Sequence, residues 1–158
     1  MRVPLLVNDF LRRAAQLYPA KTAIVDGPKR FSYAEYAQRV RGFSRVLTGL
    51  GIQQGDRVCI LSPNSHFFLE SFYATSELGV ILVPLNFRLT AEDHRYIIDH
   101  AGVRAVIADY DYTHLVDQIR DALPGVEHFI VAQDEGVAPA GWLAWETLLV
   151  NHEATPLP

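Results

Sequence analysis

The chain has 158 residues, 49% of them hydrophobic, which is enough for one compact domain with a real core. Charged residues make up 20% and the formal net charge is -4, without a basic stripe or a block of like charge, so neither a nucleic-acid surface nor a charged interaction tail is expected. No apolar run approaches the roughly 18 residues of a membrane span, and the short apolar stretch before Asn8 is too brief for a signal-peptide core.

Val7, Phe10, Leu11, Ala14 and Leu17 recur at helical spacing, and Pro19 follows as a stop. Thr22 to Asp26 reads as a strand, Asp26-Gly27-Pro28-Lys29 as a turn, and Arg30-Phe31 as the start of a return strand. Ser32 and Glu35 spell S-x-x-E, in which each side chain satisfies the other's backbone N–H. Tyr36, Val40, Phe43, Leu47 and Leu50 carry that helix to a left-handed stop at Gly51. Strands at 57–61, 80–83, 104–108 and 127–131 then alternate with helices at 65–78, 90–101 and 113–123. That alternation predicts an α/β fold with a mainly parallel sheet and crossover helices, its β-branched runs covered on both faces. Cys59, the single cysteine, lies inside one of these runs, where it reads as an inert core thiol suited to a reducing, cytoplasmic compartment. We divide the chain into a helical and hairpin lead-in (1–50), βα units (51–131) and a loop and linker (132–158), with a short helix at 142–150.

Helix 65–78 stands apart. Phe67, Phe68, Leu69, Phe72, Tyr73, Ala74 and Leu78 cover most of its circumference, and Glu70 and Glu77 leave a narrow polar stripe. One apolar stripe suffices for a helix on the outside of a two-layer domain. This helix therefore predicts cover from more than one side, supplied by a larger domain or by a partner.

Chemical motifs are scarce. No glycine loop ends in lysine, and the two lysines, Lys21 and Lys29, precede the parallel strands. There is no G-x-S-x-G elbow. Ser62 and His66 suggest a serine–histidine pair, but Pro63 and a helix cap at Asn64 or Ser65 explain the same residues. The six histidines lack metal-binding spacing, so no metal site is expected. Asp109 and Asp111 follow a strand as in an acidic receiver site, although Asp111 equally suits a helix cap. Trp142 and Trp145 are expected to cover core on the short helix. The informative stretch is Asn86-Phe87-Arg88-Leu89, which holds one arginine between a strand end and a helix start. Arg88 either pairs locally with Glu92 or, with the helix-terminal N–H groups, binds an anion.

Three segments in order, AIVDGPKRFSYAEYAQRV (23–40), GIQQGDRVCILSPNS (51–65) and ELGVILVPLNFRLTAEDHRYIIDHAGVRAVIAD (77–109), resemble the N-terminal part of the adenylate-forming acyl-CoA synthetases, the fatty-acid–CoA ligase-like branch of the AMP-binding enzymes. The resemblance implies that the chain is an incomplete part of that family's large N-terminal domain. It implies a parent enzyme that activates a carboxylic acid with ATP and Mg²⁺ and passes the acyl group to coenzyme A. The phosphate loop, the adenine and ribose contacts and the C-terminal lysine of the family are absent from this chain, so no catalytic residue is assigned and the chain is expected to be silent alone. On the family's pattern, Arg88 contacts a coenzyme A phosphate and Asn86 positions its loop. The expected partner is the remainder of the enzyme; the alternative is a non-catalytic module that self-associates through an uncovered apolar face. A free-standing flavodoxin-like or receiver-like domain fits less well, because the sheet carries no lysine and a long segment precedes it.

Overall fold

The computed structural model describes residues 6–158, so most of the apolar stretch before Asn8 lies outside the described residues. Helix α1 (Val7–Leu17) leads into an antiparallel hairpin of β1 (Thr22–Asp26) and β2 (Lys29–Ser32), then helix α2 (Tyr33–Gly49). The main sheet comprises β3 (Arg57–Leu61), β4 (Ile81–Pro84), β5 (Ala105–Asp109), β6 (His128–Ala132) and β7 (Leu143–Ala144), all parallel, in the order β4-β3-β5-β6-β7. Helices α3 (His66–Leu78), α4 (Ala91–Ala101) and α5 (Thr113–Asp117) connect the strands, and α6 (Trp145–Asn151) follows β7. The expected α/β architecture is present.

The strand order dictates where the helices go. From β3 the chain steps to β4 on one side, then returns past β3 to β5 and continues to β6 and β7 on the other. Right-handed crossovers running in opposite directions put their helices on opposite faces. Accordingly α3 lies on one face with α1, α2 and α6, and α4 and α5 lie on the other. Alternate residues of each strand feed the two layers. Val58, Ile60, Ala105, Ile107 and Ile130 join Phe43, Leu47, Phe67 and Trp145; Cys59, Leu61, Val106, Ala108 and Val131 join Ile98, Val116, Leu123 and Trp142. This is why the apolar runs lack polar alternation. Strand β4 is the exception. It is one edge of the sheet, and Ile81 is exposed although its sequence reads as buried. Cys59 is fully buried, and burial pushes its thiol up to about 12.

Helix α3 is covered by the sheet on one side and by α2 and α1 on another. Its expected polar stripe is half wrong. Glu77 is exposed, but Glu70 is fully buried, where Arg39 of α2 holds its carboxylate through Nε at 2.5 Å and Nη2 at 3.2 Å. Arg39 also binds Glu146 of α6 at 2.6 Å, so one guanidinium ties three helices together. Burial pushes the Glu70 carboxyl up and Arg39 opposes it. Burial works against the charge on Arg39, but the Glu146 and Glu70 carboxylates outweigh it and raise its pKa. The remaining side of α3 carries Leu69 and Phe72, both exposed.

The segment after β6 is more ordered than a loop and linker. Trp145 opens α6, is fully buried, and stacks on Phe43 with ring centroids 3.6 Å apart; such pairs add about 0.5–1.5 kcal/mol beyond area burial. Trp142 lies ahead of β7, not on the helix, and its Nε1–H donates to Asp117 at 2.9 Å. The helix expected over 113–123 is α5 followed by a 3₁₀ turn at Arg120–Ala122. The break falls where Asp117 and Arg120 turn toward the segment before β7, Arg120 donating to the Gly141 carbonyl at 2.8 Å.

Two helix starts carry the capping box. Ser32 and Glu35 exchange hydrogen bonds ahead of α2, and Thr90 and Asp93 do so ahead of α4. Thr90 holds the Asp93 carboxyl below the usual aspartate range. A carboxylate depressed in the folded state stabilises the fold above its unfolded pKa, and that contribution is lost as pH falls through the folded pKa. In Thr90→Val the Asp93 titration should move up toward the ordinary range, read by carboxyl NMR, and the melting temperature at neutral pH should fall by about 2–4 °C. An unchanged Asp93 titration would refute this role.

Candidate functional site

In open α/β sheets ligands settle beyond the carboxyl ends of the strands, at the point where the strand order reverses. Here that point lies between β3 and β5. It is framed by Ser62-Pro63-Asn64-Ser65 after β3, by Asp109 at the end of β5, and by the Asn86–Leu89 loop after β4.

The loop after β4 is built from its own backbone outward. Leu85 N–H donates to the Ile60 carbonyl at 2.8 Å and extends the β4–β3 ladder past Pro84. Asn86 Oδ1 then accepts the Arg88 N–H at 3.1 Å, which fixes a tight turn of the kind Asn favours. The Asn86 carbonyl accepts twice, from Leu89 N–H at 3.1 Å and from His94 Nε2 at 3.1 Å. His94 is fully buried on α4. Donation from Nε2 sets its tautomer, and its Nδ1 meets no partner among the described residues. Sequence reasoning passed over His94, although its four-residue spacing to Ile98 places it on the buried stripe of α4.

Arg88 is exposed. Its expected local partner, Glu92, is taken by Arg95, whose Nη2 lies 2.6 Å from the carboxylate. Among the described residues no carboxylate comes within ion-pair distance of Arg88, whose guanidinium lies 5.4 Å from the Phe87 ring centroid. The capping box occupies the N–H groups of Thr90 and Asp93 and leaves those of Ala91 and Glu92 without an intrahelical partner. Arg88 is thus an uncommitted cation beside a helix start already supplied with two carboxylates.

The serine–histidine pair does not form. Ser62 Oγ donates to the Pro63 carbonyl at 2.8 Å, and Ser65 caps α3. His66 turns instead to β1, where Asp26 Oδ2 accepts from its Nδ1 at 2.7 Å and from its backbone N–H at 2.9 Å. The His66 hydrogen bonds hold Asp26 below the usual carboxylate range. Asp109, not Asp111, is the capping residue. Its carboxylate accepts the Asp111 N–H at 3.1 Å, and burial pushes it up.

Lys29 lies on the hairpin and pairs with Asp134, Lys21 stands just ahead of β1, and the strand-end turns carry neither a lysine nor a glycine-rich run. Among the described residues the edge offers an exposed guanidinium, Arg88, on a braced loop.

The model of the AMP-binding enzyme family matches residues 11–156. A long-chain-fatty-acid–CoA ligase of Thermus thermophilus is 37% identical over 153 residues, covering 94% of this chain and 28% of that protein. An indoleacetate–CoA ligase of Aromatoleum aromaticum is 32% identical over 143 residues, covering 90% of this chain and 27% of the other. Among solved structures, a Mycobacterium tuberculosis fatty acyl CoA synthetase superposes with a TM-score of 0.83 at 30% identity, over 97% of this chain and 29% of that one. An anthranilate CoA ligase bound to anthranoyl-AMP shares the fold at a TM-score of 0.89 and 24% identity, over 96% and 29% of the two chains. The chain spans little more than a quarter of the length of these proteins. The chain belongs to the AMP-binding enzyme family and corresponds to the N-terminal part of the CoA ligases it matches.

Proposed function

We propose that these residues are the opening portion of a carboxylic acid–CoA ligase that forms an acyl-adenylate from ATP and then an acyl-CoA thioester. The similarity to CoA ligases across almost the whole chain carries this proposal. The relatives act on acids as different as long-chain fatty acids and indoleacetate, so the acid is left unspecified. In this proposal residues 1–50 and 51–131 build one scaffold, while the groups that hold ATP and Mg²⁺ lie outside these residues. The 158-residue chain should therefore give no ATP–pyrophosphate exchange above background with any carboxylic acid, measured with radiolabelled pyrophosphate. Exchange from the purified chain would overturn the assignment of triphosphate handling to other segments.

Within the proposal, Arg88 contacts a phosphate of coenzyme A and Asn86 fixes the loop that presents it. The support is the absence of a carboxylate partner for Arg88 among the described residues and the closed hydrogen bonding of its loop. In an enzyme carrying this segment together with the phosphate-loop region, Arg88→Ala should raise the KM for coenzyme A by about tenfold, the worth of one hydrogen bond to a charged group. ATP–pyrophosphate exchange, which precedes thiol attack, should be unchanged. Equal losses in both half-reactions would sink this role.

The exposed Leu69 and Phe72 favour one further element of the proposal. We take this apolar surface of α3 to be the seat of the enzyme's remainder. Isolated from it, the chain should self-associate, with a sedimentation coefficient that rises with concentration. A monomer over the whole concentration range would count against an uncovered face.

A further inference from the structure

Beside the hairpin lies a polar cluster that the ligase assignment does not use. It gathers residues from six elements and loops: Asp26 of β1, Lys29 of β2, Arg39 of α2, His66 and Glu70 of α3, Asp134 after β6, and Glu146 of α6. His66 sits at its centre, 2% exposed, packed between Phe67 and Phe31 with ring centroids 3.9 Å and 5.1 Å away.

The imidazole is oriented from behind. Asp26 is an acceptor, so Nδ1 carries the hydrogen and Nε2 of the neutral ring presents its lone pair. Nε2 has no hydrogen-bond partner among the described residues. Asp134 Oδ1 lies 3.2 Å from it, off the line of a hydrogen bond. A nitrogen lone pair this close to a carboxylate oxygen is repulsive unless a positive species sits beside both, a part that Lys29 plays at the same oxygen. Glu146 is the third member: the candidate donor atoms of His66, Asp134 and Glu146 all lie within 4.8 Å of one another. A carboxylate behind an imidazole, with the far nitrogen turned toward further oxygens, is the arrangement that orients histidine on a metal.

Charge narrows the choice of species. The linked carboxylates are Asp26, Glu70, Asp134 and Glu146, and the permanent cations are Lys29 and Arg39. With a neutral ring the cluster carries two uncompensated negative charges. A proton on His66 would cancel one of them; a divalent cation cancels both. One imidazole and two carboxylates suit a borderline transition-metal ion such as Zn²⁺ or Co²⁺ better than Mg²⁺ or Ca²⁺, which prefer oxygen alone.

We propose that His66 Nε2, Asp134 and Glu146 form a site for one divalent transition-metal ion, with Asp26 as the residue that orients the imidazole. Tetrahedral bonds of about 2.0–2.1 Å need donor atoms about 3.3 Å apart, a contraction that side-chain rotation of the two part-exposed carboxylates supplies. Lys29 is displaced from Asp134, giving up a surface ion pair of little worth. Arg39 keeps Glu70. The bound ion fastens the loop after β6 and helix α6 to the first turn of α3. The sequence carries no sign of the site, because its donors stand 68 and 12 residues apart.

The test is titration of the EDTA-treated 158-residue chain with Zn²⁺ by calorimetry and with Co²⁺ by visible absorption. One equivalent should bind, with the d–d bands of a low-coordinate Co²⁺ site and a higher melting temperature. Asp134→Asn, on an exposed loop that leaves the core intact, and His66→Gln should each weaken binding by at least about tenfold. Absence of binding, or binding that both variants leave unchanged, would overturn the site. The second result would place the ion on exposed histidines such as His100 and His114.

Discussion

The structure depends on one constraint, the requirement that a parallel sheet be covered on both faces. Antiparallel strands tolerate water on one side, but crossover connections bring a helix to each face they traverse. The reversal of direction at β3 distributes those helices evenly, with α3 on one side and α4 and α5 on the other. Everything the strand ends do follows from this. The reversal also opens the gap between β3 and β5, and it leaves β4 at the edge, where its loop projects Arg88 clear of competing carboxylates.

The lead-in belongs to the same solution. Helix α2 is the second layer over α3, and its Phe43, Val46 and Leu47 are fully buried. Arg39 turns that packing into a defined geometry. A buried carboxylate such as Glu70 is costly unless it is paired and hydrogen-bonded, and a guanidinium that forks between Glu70 and Glu146 satisfies that condition only when α2, α3 and α6 stand in one arrangement. The pair is better understood as a device for specifying the helix arrangement than as a source of stability.

Much of the fold was legible because it obeys local rules. The capping box at Ser32, the helix start at Thr90, the glycine stop at Gly51, and the strand at Arg57–Leu61 appear where periodicity and cap chemistry put them. Failures came where the deciding partner is distant. Glu70 read as solvent-facing because its arginine lies 31 residues earlier. His66 was matched with its near neighbour Ser62, although its hydrogen bond spans 40 residues to Asp26. Strand β7 is two residues long and shows no alternation to detect. At the candidate phosphate contact, the N-x-R loop could be seen in the sequence, but the brace supplied by His94 could not.

The placement of the two tryptophans has a practical side. Trp145 is stacked in the layer formed by α2 and α3, while Trp142 lies in the opposite layer against Phe129. Each half of the protein therefore contains its own intrinsic fluorophore, with the central strands as a partition between them. Replacing one indole and following emission from the other would show whether the two halves come apart together or in turn, with no dye or label attached.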